Sequence, residues 1–145
     1  MRKPKVLFLC THNSARSQMA EAFLREYAGD RFEVYSAGLE PTQVHPLTKR
    51  VMEEIGFDMG GHLSKDLKQF LGRTHFGYLI TVCARAESLC PTFPGVSFRL
   101  QWPFEDPSAF EGIEHEKLNK FREIRDNIRN KVKSWIKEGA PVGKT

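Results

Sequence analysis

The sequence has few cysteines and no long apolar run. Its 145 residues include three cysteines, Cys10, Cys83 and Cys90. An odd number argues against a disulfide framework, and no two of them form the C-x-x-C pair typical of structural zinc. The basic start is followed by only five apolar residues before Thr11, too few for a signal peptide, and no later run could span a bilayer. We therefore expect a cytoplasmic protein without a membrane partner.

The sequence also lacks a strong excess of one charge. The 22 basic and 18 acidic side chains give a net charge of +4 and a pI of about 9.1. This balance suits an anionic ligand, but the basic residues are scattered. The densest stretch, 117–137, also carries acidic residues and a regular apolar stripe, and no nucleic-acid-binding motif accompanies it. We expect no nucleic-acid partner.

Short apolar runs alternate with helical patterns along the chain, which is typical of a parallel sheet flanked by helices. The pattern predicts a single α/β domain over residues 1–145, with 139–145 as a flexible tail. Strands are predicted at 5–10, 31–38, 76–83 and 96–102, and helices at 14–28, within 45–58 and at 113–137.

The first strand ends in a loop with the C-x5-R-S spacing that wraps an oxyanion, Cys10 to Ser17. Backbone amides, the start of the following helix and the planar fork of Arg16 can all face an anion there. The same positive environment predicts a depressed pKa for Cys10, which would make it a nucleophile near neutral pH. The predicted oxyanion-binding residues are Thr11, His12, Asn13, Ser14, Ala15 and Arg16.

Two more reactive side chains are predicted at the same sheet edge, because ligands bind at the carboxyl ends of parallel strands. Cys83 ends the third predicted strand, and Asp106 follows the fourth. We therefore expect both side chains to lie near Cys10.

These segments resemble the low-molecular-weight phosphotyrosine-phosphatase superfamily, and more closely its thioredoxin-coupled arsenate reductase branch. The likeness runs from CTHNSARSQMAEAF through VYSAGLEPTQVHP, LITVCARAESLCP and WPFEDP to FREIRDNIRNKV. It implies a four-stranded parallel sheet in the order 2-1-3-4 with helices on both faces. The implied roles are Cys10 as nucleophile, Arg16 as oxyanion clamp, Ser17 as thiolate stabiliser, Asn13 as loop-shaping residue and Asp106 as general acid.

The pair Cys83 and Cys90 favours the reductase branch. Phosphatases of the superfamily typically follow the Asp-Pro pair with tyrosines, and DPSAFEG has none, whereas CARAESLC matches the C-x6-C pair of the reductases. If residues 84–89 form a helix, the two Cα atoms lie about 10 Å apart. A disulfide needs them within about 7 Å. Forming the Cys83–Cys90 bond would therefore require this segment to unwind.

The resemblance implies reduction of arsenate to arsenite, with phosphate and sulfate as substrate mimics and a monomeric enzyme. Cys10 attacks arsenate, Asp106 protonates the departing oxygen, and a disulfide passes from Cys10–Cys83 to Cys83–Cys90, which thioredoxin reduces. The alternative is a protein-tyrosine or phosphomonoester phosphatase that uses Cys10, Arg16 and Asp106, an activity that could also accompany reduction. A further alternative is a non-catalytic anion or redox sensor.

The loop departs from the relatives at two positions, since His12 replaces a common glycine and Ala15 replaces a further cysteine. Neither side chain is part of the expected relay. Some reductases of the branch hold a monovalent cation beside the loop, although the segment HLSKD carries one extra residue here. The residues that resemble this cation site are Asn13, Glu21, Ser36, Ser64 and Asp66. No other cofactor is expected.

Overall fold

The computed structural model describes residues 3–90 and 96–141. Its four strands are parallel and lie in the order β2-β1-β3-β4, which confirms the predicted topology. Their carboxyl ends therefore meet at one edge of the sheet. The strands are β1 (Lys5–Cys10), β2 (Glu33–Gly38), β3 (Tyr78–Thr81) and β4 (Phe98–Gln101).

Four α-helices and two short 3-10 turns connect and cover the strands. The helices are α1 (Arg16–Ala28), α2 (Pro46–Glu53), α3 (Ala84–Leu89) and α4 (Glu114–Lys137), and the 3-10 turns are Leu67–Gln69 and Pro107–Ala109. Helix α1 begins two residues later than predicted, because Asn13 adopts a left-handed conformation (φ 50°) and Ala15 a non-helical one. Those residues stay in the loop instead of joining the helix.

Aromatic side chains build the core on each face of the sheet. Phe8 packs 5.8 Å from Trp102, whose ring lies 5.5 Å from Trp135 of α4. On the opposite face, Tyr35 contacts the rings of Phe70 and Phe76 at 5.7 and 5.5 Å. Because β1 lies between β2 and β3, five of its six residues are buried. The loop after Cys10 therefore starts from a rigid strand.

The chain after α4 packs against the end of this helix as far as Pro141, and the flexible tail at 139–145 stays a prediction. Ala140 is buried, its amide donates to the Trp135 carbonyl, and Trp135 Nε1 donates to the carbonyl of Pro141 at 2.9 Å. Residues 142–145 lie outside the described residues. Among the helices of the described ranges, none is both long and apolar enough to cross a membrane.

Candidate active site

The loop between β1 and α1 is organised around Asn13, which is fully buried. Its Nδ2 donates to Ser17 Oγ at 2.8 Å and to Ser36 Oγ at 2.9 Å. Its Oδ1 accepts from Gln18 Nε2 at 2.9 Å and from the backbone amide of Lys65 at 2.8 Å. These four contacts hold the left-handed turn and support the loop-shaping role predicted for Asn13.

The end of β2 closes directly against this loop at Gly38. A Cβ atom on Gly38 would lie 2.8 Å from the amide nitrogen of Asn13 and 2.9 Å from the carbonyl oxygen of Thr11. Backbone atoms at that distance cannot move aside without shifting the loop. Gly38 is therefore required by the close approach of two backbones.

Helix α1 presents its start to the loop without a competing side chain. Its N-cap, Ala15, makes no side-chain cap hydrogen bond, so amides of the first turn can bind an anion instead. A small cavity opens there. Its lining residues are Cys10, His12, Ser14, Ala15, Arg16, Asp106 and Ser108.

Arg16 and Asp106 meet beside this cavity. The Arg16 Nη2 atom lies 3.6 Å from Asp106 Oδ2, and Nη1 donates to the carbonyl of Phe104 at 3.0 Å. Asp106 Oδ1 accepts from the amide of Ser108 at 2.9 Å and from its hydroxyl at 2.7 Å. Ser108 therefore orients the carboxylate toward the loop.

Cys10 and Cys83 are in contact, and each is 3% exposed. Their side chains lie close enough to interact electrostatically, and Cys83 Sγ accepts from the amide of Ala86 at 3.3 Å and lies 3.4 Å from Thr11 Oγ1. The interaction with Cys10 lowers the pKa of Cys83 to about 5, with further support from Thr11, Ala86 and Arg16. The same interaction, together with burial, raises the pKa of Cys10.

The prediction of a depressed pKa for Cys10 is therefore wrong, because Cys83 lies beside it. Two thiols that interact this closely titrate as a pair, and the positive loop ionises one of them. In this arrangement the pKa of Cys83 lies below the usual thiol value and that of Cys10 lies above it. The spacing of the loop indicated its positive environment but not the effect of the Cys83 sulfur on the pKa of Cys10.

Ser17 is buried, and its oxygen accepts the hydrogen bond from Asn13. This leaves the hydroxyl proton of Ser17 available to donate. Its role as a stabiliser of a Cys10 thiolate stays a prediction.

Helix α3 joins Cys83 to Cys90, so the helix on which the expected unwinding depends is present at residues 84–89. Cys83 is its N-cap and Cys90 its C-cap. The side chain of Glu87 anchors the helix to the sheet, because it accepts from Thr81 Oγ1 at 2.7 Å and lies 3.2 Å from Arg99 Nη2. Burial raises the pKa of Cys90, so this thiol is not pre-ionised.

The residues that resemble a monovalent-cation site do not fit a free cation, because an ammonium group lies among them. Lys65 Nζ is 3.4 Å from both Glu21 Oε1 and Ser36 Oγ. Ser64 Oγ donates to the carbonyl of His12, and Asp66 Oδ1 accepts from the amide of Lys68 in the first 3-10 turn. Across 3–90 and 96–141, no group of three or more His, Cys, Asp or Glu side chains is placed to hold a metal.

Gln18 is the site residue that sequence reasoning missed most clearly. It is fully buried, its Nε2 donates to Asn13 and to the carbonyl of Leu63, and its Oε1 lies 3.0 Å from His62 Nδ1. A polar residue on the buried face of α1 is the signal that could have indicated it.

The comparison with protein families agrees with this geometry. The family model for low molecular weight phosphotyrosine protein phosphatase matches residues 5–143. The chain therefore belongs to that family.

Within the family, the chain is similar to several arsenate reductases. The arsenate reductase of Halalkalibacterium halodurans is 40% identical over 139 residues, covering 96% of this chain and 99% of the relative. A solved arsenate reductase in its phosphate-binding state has a TM-score of 0.78 and 32% identity, covering 93% of this chain and 98% of the other. The thioredoxin-dependent arsenate reductase of Corynebacterium glutamicum has a TM-score of 0.70 and 31% identity, covering 95% of this chain and 62% of the other.

Proposed function

We propose that this protein reduces arsenate to arsenite by a three-thiol relay. The observation that carries the proposal is the contact between Cys83 and Cys10 within an oxyanion-binding loop, with Cys90 at the far end of the helix that Cys83 begins. A phosphatase needs only the first thiol. The second sulfur beside the nucleophile supports redox chemistry, and the names of the most similar relatives agree with it.

The first step forms a bond between Cys10 sulfur and arsenic. Arsenate lies in the loop, bound by its amides and by the guanidinium of Arg16. Cys10 loses its proton to solvent and attacks as a thiolate, and Asp106 protonates an arsenate oxygen so that it leaves as water.

The second step transfers two electrons to arsenic. Cys83 loses its proton to solvent and attacks the sulfur of Cys10 as a thiolate, so that a sulfur–sulfur bond forms and the sulfur–arsenic bond breaks. The electron pair of the broken bond stays on arsenic, which leaves as arsenite. The products are arsenite and a Cys10–Cys83 disulfide, so the oxidation of two thiols balances the reduction of arsenic.

The third step frees Cys10. Cys90 attacks the sulfur of Cys83, Cys10 leaves as a thiolate, and a Cys83–Cys90 disulfide remains. Because a helix separates the two cysteines, α3 must unwind for this bond to form. A dithiol protein of the thioredoxin class then reduces the disulfide, in line with the thioredoxin-dependent relative.

Phosphomonoester hydrolysis is the second candidate, favoured by the family of the chain and by the pairing of Arg16 with Asp106. Phosphate and arsenate share charge and shape, so the same loop suits both. Hydrolysis would need Cys10, Arg16 and Asp106 but neither Cys83 nor Cys90.

Arsenate-dependent oxidation of NADPH, coupled through thioredoxin and its reductase, tests the proposal. The wild-type protein should turn over, and both Cys83→Ser and Cys90→Ser should lose sustained turnover. Hydrolysis of p-nitrophenyl phosphate by the same variants is the matched control, since it needs only the first thiol. Wild-type rates of arsenate turnover in both variants would refute the relay and favour the phosphatase.

A further inference from the structure

Glu21 is a buried carboxylate beside the oxyanion loop, and it needs positive partners. Its side chain is 6% exposed. Oε2 lies 2.5 Å from Arg25 Nη2, which also donates to the carbonyl of Val34. Oε1 accepts from the hydroxyl of Ser36 and lies 3.4 Å from Lys65 Nζ. Burying a carboxylate is costly unless such charges compensate it, so the Lys65 ammonium balances the side of Glu21 that faces the loop.

Two contacts of Lys65 lead to Asn13, one through Ser36 and one directly. The ammonium lies 3.4 Å from Ser36 Oγ, and Ser36 Oγ accepts from Asn13 Nδ2. The backbone amide of the same lysine donates directly to Asn13 Oδ1. The ammonium also donates at 3.0 Å to the carbonyl of Leu63. Lys65 therefore supports both ends of the Asn13 amide.

We propose that Lys65 is a positioning residue whose ammonium acts as a built-in cation of the oxyanion loop. It neutralises Glu21 and thereby keeps Ser36 and Asn13 in place, so the loop binds its anion without a monovalent cation from solution. The proposal rests on the proposed function only in that the loop binds an oxyanion. It does not depend on the thiol relay.

The test is phosphate binding by calorimetry, compared in potassium chloride and choline chloride at equal ionic strength. The wild-type protein should bind phosphate equally in both salts. Lys65→Met, which keeps the length of the side chain but removes its charge, should bind about tenfold more weakly in choline chloride, the worth of one charge-assisted hydrogen bond. Potassium should restore most of this loss and also raise the melting temperature of the variant.

Lys68→Met is the matched control, because Lys68 is exposed in the 3-10 turn three residues later. It should bind phosphate like the wild type in both salts. Lys65→Arg keeps the charge and should also remain independent of potassium.

Two results would overturn the proposal. One is tighter phosphate binding by the wild type in potassium chloride than in choline chloride. This comparison uses only the wild type, so it tests the proposal even if Lys65→Met does not fold. The other is unchanged binding by Lys65→Met in choline. A failure of the relay would leave these phosphate affinities unaffected, whereas a wild type that binds no phosphate in either salt would overturn the oxyanion loop and the proposed function together.

Discussion

The exchange from Cys10–Cys83 to Cys83–Cys90 should be limited by the unwinding of α3, and Ser88 offers a way to change that step. Ser88 is exposed near the end of the six-residue helix, and its hydroxyl donates to the carbonyl of Arg85 at 3.1 Å. Ser88→Ala and Ser88→Gly both lose this hydrogen bond. They differ only in helix propensity, by about 1 kcal/mol.

If unwinding precedes the attack of Cys90, the rate follows the unwound population. A difference of about 1 kcal/mol then predicts exchange about fivefold faster in Ser88→Gly than in Ser88→Ala. The assay is a single turnover with arsenate, quenched with an alkylating reagent at successive times. Mass spectrometry then measures how quickly the Cys10 thiol becomes free again.

The exposed Ser134 in α4 provides the matched control. The pair Ser134→Ala and Ser134→Gly should differ in the stability of the whole protein but not in the exchange rate. Equal exchange rates for the two Ser88 variants would refute the requirement for local unwinding.

Three further changes test the site. Gly38→Ala should weaken phosphate binding and lower the free energy of unfolding by about 1–3 kcal/mol, because the added carbon would lie 2.8 Å from a loop nitrogen. Calorimetry and thermal denaturation check this. Gly61→Ala is the control, because an added carbon there would meet no atom within 4 Å. Cys10→Ala should raise the pKa of Cys83, because it removes the interaction that lowers this pKa most. Thiolate absorbance measured against pH checks this, and an unchanged pKa would contradict the interaction between the two thiols. His45→Asn should make the free energy of unfolding less dependent on pH. Burial lowers the pKa of His45, so the neutral imidazole favours the folded state, and this contribution is lost as the pH falls below about 6.5. Urea denaturation above and below that pH checks this, and an equal loss of stability in the wild type and the variant would be evidence against it.

The predictable part of the fold came from local patterns. Alternating apolar runs and helical periodicity predicted the four strands and their helices, and the resemblance supplied the strand order. The spacing of Cys10 and Arg16 predicted the loop, because an anion-binding turn between a strand and a helix is built from neighbouring residues. Asp106 could be placed beside the loop because strand ends share one edge of the sheet.

The remaining features depend on contacts between distant segments. The pKa of Cys10 depends on how closely Cys83 approaches it, which no local pattern specifies. Lys65 supports the loop from a segment distant in sequence, and its side chain resembles an ordinary surface residue in the sequence. Such contacts follow from packing, so only the three-dimensional arrangement assigns them.

The central claim is that Cys10 and Cys83 together supply the two electrons for arsenate. The most direct test is a single turnover of Cys90→Ser with arsenate and without thioredoxin. We expect one arsenite to be released per protein chain, together with a Cys10–Cys83 disulfide identified by mass spectrometry. Failure to release arsenite, with both thiols still free, would contradict it.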